Sequence, residues 1–228
     1  MAHSQKITAS QELSTSDARW ITLKKLLYTD PEGKERAWEM AERKTRSSSG
    51  IDAVAIFALL RSRKGTFPPS TVVIEQYRPP IDKVVIGLID EGETPETTAV
   101  RELEEETGYK ADRVLDVSPI IVSDPGAELS TGMTNANMKL VTVSVWFDDE
   151  IQKPEPKLEP GEHIETRVVP LTELHEKLKD YDSKVWICSA LRHSNALTKA
   201  QGFIVDARLQ HFAAGYQFSQ KLKDGELP

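Results

Sequence analysis

The 228-residue chain has one cysteine, Cys188, so no intrachain disulfide framework can hold it together. It must bury a hydrophobic core instead, and this length fits one domain with a small N-terminal extension. Cys188 stands in the apolar run VWICSAL, which suits a core side chain better than a nucleophile. Excess positive charge is also missing. Asp and Glu number 36 against 29 Lys and Arg, a net charge of −7, which argues against a dominant surface for nucleic-acid polymers while leaving room for a local basic pocket. No apolar run is long enough to cross a membrane, and the N-terminus lacks the apolar core of a signal peptide. The expectation is a soluble protein of a reducing compartment, cytoplasmic with the nucleus as alternative, without a membrane partner.

No internal repeat is visible. Residues 1–16 are rich in Ser, Thr and Gln and have little to bury, which predicts a mobile tail. Residues 20–28 and 35–43 read as strands around the turn Asp30-Pro31-Glu32-Gly33, a hairpin ahead of the main domain. Further strands are expected over 51–60, 71–77, 114–123, 138–147 and 163–170, with Asp124-Pro125-Gly126 a turn and 153–161 a Pro-rich loop. Helices are expected over 171–178 and 206–222. Mixed strands with a few helices suggest an α/β or α+β sandwich.

The most informative stretch is 87–109, GLIDEGETPETTAVRELEEETGY. Thr94-Pro95 opens a helix well, since proline is tolerated in a first turn, and Gly108 ends it. Glu102, Glu105 and Glu106 are related by steps of three and four, so their carboxylates share one face. Like charges so placed repel unless a cation lies between them, and hard oxygen ligands suit Mg²⁺ or Mn²⁺. A solvated acidic face is the plain alternative for such a run.

The surroundings favour the metal reading. The pattern G-x5-E-x7-R-E-L-x-E-E-x-G is filled by Gly87, Glu93, Arg101, Glu102, Leu103, Glu105, Glu106 and Gly108, with Tyr109 at the bulky end. It resembles the Nudix box, the signature of hydrolases that cleave nucleoside diphosphates linked to another group. The hairpin, Arg78-Pro79-Pro80, the box, the SDPG turn at 123–126 and the VDAR at 205–208 are together similar to the eukaryotic ADP-ribose (ADP-sugar) pyrophosphatases of that superfamily. The resemblance implies a mixed β-sheet sandwiched between helices, with an N-terminal β-hairpin extension. It divides the chain into a tail (1–16), a hairpin for dimerisation and adenine binding (17–48) and a Nudix hydrolase domain (49–222).

It also implies roles. In that group the hairpin exchanges across a homodimer and two tryptophans sandwich the adenine; the matching residues are Trp20 and Trp38. Aromatic stacking contributes on the order of 1–3 kcal/mol per base, although tryptophans more often serve cores and interfaces. Glu39 matches a contact to the adenine edge. Arg43 and Arg78 match phosphate ligands, a role suited to the planar guanidinium fork, with a plain surface charge the alternative for Arg43. Asp124 matches a residue near the terminal ribose, or is a turn former; Leu88 faces the substrate. Glu102 and Glu106 are the first-choice metal ligands and Glu105 shares the cluster. Arg101 and Glu93 are expected to brace loop and helix by an ion pair. A base and further metal ligand comes from a separate loop, where Glu162 aligns best and Glu165 competes. The implied reaction is ADP-ribose plus water to AMP plus ribose 5-phosphate, with Mg²⁺ as cofactor and Mn²⁺ as alternative.

One segment departs from the pattern. Relatives carry an additional Glu-Phe-Pro-Ala before the box glycine, whereas IDKVVI here runs straight into Gly87, four residues short. The missing alanine supplies a metal-binding carbonyl in the family; Ile86 takes its place, and a carbonyl ligand does not depend on the side chain. The lost strand length is roughly 13 Å, so the strand must shorten or borrow Asp82 and Lys83. Two alternatives to an active ADP-ribose pyrophosphatase follow: a catalytically impaired Nudix protein that binds ADP-ribose or a related nucleotide, and an enzyme of shifted specificity, for NADH, another nucleoside diphosphate sugar or an oxidised nucleotide.

Overall fold

Strands β1 (Ile21–Thr29) and β2 (Glu35–Arg43) form an antiparallel ribbon, Ile21 opposite Arg43 and Thr29 opposite Glu35, with a bridge from Ala41 to Thr134. Gly33, at φ +81°, turns the chain, and Asp30 accepts hydrogen bonds from Lys34 N and Arg36 Nε at 2.8 Å each. A two-stranded ribbon has no core of its own. It accordingly exposes Trp20 (66%), Leu23 and Leu27 (79%). The computed structural model describes residues 5–46, 50–87, 89–90, 94–122, 133–183, 185–186 and 201–226.

The remaining strands are β3 (Ala53–Ser62), β4 (Ser70–Arg78), β5 (Lys83–Gly87), β6 (Ile89–Asp90), β7 (Arg113–Val117), β8 (Ile121–Val122), β9 (Asn137–Phe147), β10 (Ile164–Pro170), β11 (Val185–Trp186) and β12 (Gln201–Val205). Among the described residues they join in one mixed sheet, with β3–β9 and β5–β12 parallel and the other pairs antiparallel. β3 and β4 pair only where Leu59 and Leu60 meet Thr71 and Ser70. Beyond that point β3 takes β6 on the same edge and β4 takes β5. The sheet therefore splits into two leaves, one centred on β3–β9 and one on β4–β10.

Alternation along β3 sorts the helices. Val54, Ile56, Ala58 and Leu60 pack in one cluster with Ala99 and Leu103 of α1 (Pro95–Thr107). Ala55 and Phe57 pack in the other with Leu174 and Leu178 of α2 (Leu174–Ser183) and Leu209 and Ala213 of α3 (Ala207–Lys223). The result is the expected mixed sheet between helices. No helix among the described residues is long and apolar enough to cross a membrane.

Several expectations are corrected. The strand expected over 114–123 is broken: β7 ends at Val117 and β8 resumes at Ile121. Ser118 Oγ accepts from Leu140 N there, and Pro119 has no N–H to give the ladder. α2 begins at Leu174 rather than 171, after a turn over 171–173. β11 and β12 had no counterpart in the sequence reading; β12 is short and flanked by α3, so neither length nor alternation marks it. The turn at 124–126 and Cys188 lie outside the described residues.

Candidate active site

Helix α1 places the acidic cluster as its spacing requires. Thr94 is its N-cap and Pro95 its first residue; Gly108 closes it in the left-handed region at φ +76°. Glu102 and Glu106 are buried, at 8% and 6% exposure, one helical turn apart. Glu105 is half-buried. Arg101 is drawn into the cluster: Nη2 lies 2.5 Å from Glu102 Oε1 and Nη1 2.5 Å from Glu105 Oε2. Burial alone lowers the Arg101 pKa, but the charges of Glu102 and Glu105 outweigh it and raise the value. Arg101 thus pairs with two glutamates of its own helix. Glu93, its expected partner, lies outside the described residues, as do Leu88 and Asp124.

Among the described residues no three carboxylate, imidazole or thiol groups converge as a formed metal cage. The donor chemistry nevertheless fits a hard divalent cation. Two buried carboxylates share one helix face, and the cluster already holds a guanidinium by ion pairs. Ile86 lies inside β5, flanked by Glu75 of β4 and Val205 of β12, one residue before the strand ends at Gly87.

The loop over 153–161 runs against the C-terminal half of α1. Lys157 N donates to Glu105 O at 2.7 Å and its Nζ to Glu104 Oε1 at 3.1 Å. Lys157 and Lys110 hold the Glu104 carboxyl below its ordinary range. Contact is close enough that a Cβ on Gly108 would come within 2.8 Å of Glu155 O. Glu162 follows this loop, and its Oε2 accepts from Glu159 N at 3.0 Å.

Glu165 goes elsewhere. Ile164 packs in the α1-facing cluster, so the next residue along β10 projects to the opposite side. There Arg167 Nη2 donates to Glu165 Oε2 at 2.9 Å, and Arg167 Nε to Glu75 Oε1 at 2.9 Å. Glu75 is buried and also accepts from Tyr181 Oη at 2.8 Å, and burial with this bond raises the Tyr181 pKa. The sequence reading missed this cluster. Its signal was an acid within the apolar run VVIEQY, which a strand buries only with partners.

At the β4–β5 connection, Pro79–Ile81 forms a 3₁₀ turn closed by Asp82 at φ 49°, with Tyr77 Oη donating to Asp82 Oδ1 at 2.8 Å. β5 begins at Lys83 and leaves Asp82 in the turn. Lys83 then stands directly opposite Arg78. Both are exposed and share the parity of Ile74, which faces α1. Two cations side by side repel unless an anion lies between them.

On the hairpin, Trp38 is half-buried opposite Leu26, whereas Trp20 precedes β1, and Glu39 is exposed. Arg43 Nη1 donates to Asp52 O at 3.2 Å. Trp20 and Leu26 are six residues apart, roughly 20 Å of strand. The two tryptophans of one ribbon therefore do not face each other across a single base.

Two buried carboxylates on a helix that packs against a mixed sheet form a donor set suited to a divalent cation. The sequence matches the NUDIX domain over residues 51–188, and the chain belongs to that family. It is 39% identical over 214 residues to the ADP-ribose pyrophosphatase of Saccharomyces cerevisiae, covering 92% of this chain and 82% of the relative. It is 34% identical over 204 residues to the ADP-sugar pyrophosphatase of Mus musculus, covering 83% and 89%. A crystal structure of an ADP compounds hydrolase superimposes at TM-score 0.50 and 16% identity, covering 98% of this chain and 94% of the other, a likeness of fold alone.

Proposed function

We propose that the protein is a divalent-cation-dependent pyrophosphatase that hydrolyses ADP-ribose and related ADP-sugars to AMP and the sugar 5-phosphate. The observation that carries this reading is the buried pair Glu102 and Glu106 on α1 within a complete Nudix box. The similarity to ADP-ribose and ADP-sugar pyrophosphatases over most of the chain supports the substrate class.

In this reading Glu102, Glu105 and Glu106 hold Mg²⁺, or Mn²⁺, with the carbonyl of Ile86 and Glu162 as further ligands. Such an ion, when bound, would offset the charge of the pyrophosphate and make a bound water more acidic. Arg78 and Arg43 hold the phosphates by paired N–H donors. Trp20 and Trp38 stack on the adenine, Glu39 reads its edge, and Leu88 and Asp124 border the sugar side. Glu162 accepts the proton of the water. The water oxygen joins one phosphorus as the bridging P–O bond breaks, and the bridging oxygen leaves on the other phosphate.

The protein acts as a homodimer. Tryptophans far apart on one ribbon can sandwich a base only if one comes from a second copy. The apolar surface left by Leu23 and Leu27 is the kind such a contact covers. The test is AMP release from ADP-ribose with Mg²⁺, alongside sedimentation. Retained release from a Glu106→Gln variant, or a monomer that turns over normally, sinks the respective half.

A further inference from the structure

Much of what fixes the hairpin to the domain converges on one buried carboxylate. The Asp52 side chain is 2% exposed. Its Oδ1 accepts from Arg46 Nε at 2.9 Å and its Oδ2 from Arg46 Nη2 at 2.6 Å, a bidentate fork. Oδ2 also accepts from Asn137 N at 3.1 Å, while Asp52 N donates to Asn137 Oδ1 at 3.1 Å.

Arg46 lies three residues beyond β2 and reaches further. Its Nη2 also donates to Asn135 O at 2.8 Å and Asn135 Oδ1 at 2.9 Å. Asn135 Nδ2 in turn donates to Glu42 Oε1 of β2 at 3.0 Å, and Glu42 pairs with Lys24 of β1. Ala41 N completes the seam by donating to Met133 O at 2.7 Å. Asp52 thus ties the entry to β3 to the start of β9, and through Arg46 and Asn135 a chain of contacts reaches Glu42 of β2 and Lys24 of β1. Burial alone pushes the Asp52 carboxyl up, but the Arg46 bonds, the Asn137 N–H and the charges of Arg46 and Arg43 outweigh that and hold it ionised.

We propose that Asp52 is the positioning residue of nucleotide binding: through Arg46 and Asn135 it fixes the ribbon that carries Trp20 and Trp38 at one angle to the domain that carries α1. This rests on the assignment of the tryptophans to the adenine. A two-stranded ribbon without a core takes its orientation from its attachments. Here the attachments through Arg46 and Asn135 are charge-assisted and partly buried, so they fix direction as well as distance. Asp52 touches neither substrate nor metal in this assignment. Its loss alters affinity for the nucleotide and leaves the carboxylate helix intact.

The experiment compares wild type with Asp52→Asn, which keeps the shape and removes the charge. Amide hydrogen exchange should accelerate over β1 and β2 and stay unchanged over β3, β4 and β9. KM for ADP-ribose should rise about tenfold with kcat within about twofold. Unchanged exchange in the hairpin, an unchanged KM, or a fall in kcat alone overturns the proposal. If Asp52→Asn does not fold, Arg46→Gln removes the hairpin side of the fork, leaves Asp52 paired with Asn137, and carries the same expectations. A wild type that releases no AMP defeats the proposed function, and hydrogen exchange still decides whether Asp52 holds the ribbon.

Discussion

Replacing Gly108 with alanine should damage the protein more than its position at a helix end suggests. Gly108 sits at φ +76°, where an L side chain costs about 1–2 kcal/mol. The added Cβ would also lie 2.8 Å from Glu155 O and from Pro154 Cβ, and 2.9 Å from Pro154 Cγ. Two of these atoms belong to a proline ring and one to backbone, so relief requires the loop to move off α1. Overpacking of this kind adds about 1–3 kcal/mol. The total is about 2–5 kcal/mol, or roughly 4–20 °C in Tm for a chain of this size. Gly65→Ala is the control, since Gly65 has φ +73° and nothing within 4 Å of a built Cβ. It carries the backbone cost without the clash. Calorimetry of both variants separates the terms. Equal melting temperatures would refute the close-approach reasoning. The same displacement should pull Lys157 from Glu105 and shift Glu162, so kcat should fall for Gly108→Ala and hold for Gly65→Ala.

Because Glu162 is the proposed general base, Glu162→Gln should lower kcat at least about 100-fold, while the parity of β10, which turns Glu165 away from α1, predicts that Glu165→Gln leaves it within about twofold; comparable losses in steady-state assays would contradict the register. Lys83→Glu, opposite Arg78, should raise KM for ADP-ribose about tenfold, with an effect that shrinks as salt rises; an unchanged KM would remove Lys83 from the phosphate path. Asp206 caps α3, accepting from Arg208 N at 2.8 Å and from both arms of the Arg208 fork. Burial pushes its carboxyl up, but the Arg208 bonds and charge prevail and hold it below the ordinary 3.8. A lowered folded-state value means the stabilisation is present above that pH and is lost as pH falls through the folded value. Asp206→Asn should therefore cost about 1 kcal/mol at pH 7, with the gap from wild type closing below pH 4 in urea melts.

The sequence was most legible where local chemistry and tertiary structure agree. Thr94-Pro95 and Gly108 bound α1 because caps act within a few residues. The alternation of β9 survives because Val141, Val143 and Val145 all turn to the core on the α1 side. The hairpin strands are readable from their turn, whose Gly33 and Asp30 act locally. Legibility failed where position depends on distant partners. β12 forms because β5 pairs with it and α2 packs against it, Tyr181 on Phe203, and nothing in its five residues states that. Glu162 and Glu165 are equivalent as text; only the packing of Ile164 against α1 shows that Glu165 points away. The Asp52 hub joins residues more than 80 positions apart, and no local spacing announces it. Where β5 begins was not legible either: the tight turn at Asp82 starts it at Lys83 and keeps Asp82 out of the ladder.

The central claim is that Glu102 and Glu106 on α1 form the metal-binding heart of an ADP-ribose pyrophosphatase. Its most direct test is AMP release from ADP-ribose by purified wild type and Glu106→Gln, with and without Mg²⁺. The account predicts release by wild type only with the metal, lost by a factor of about 100 or more in a Glu106→Gln protein that still folds and binds ADP-ribose. A folded wild type that binds ADP-ribose with Mg²⁺ and releases no AMP, or a Glu106→Gln variant as active as wild type, would contradict it.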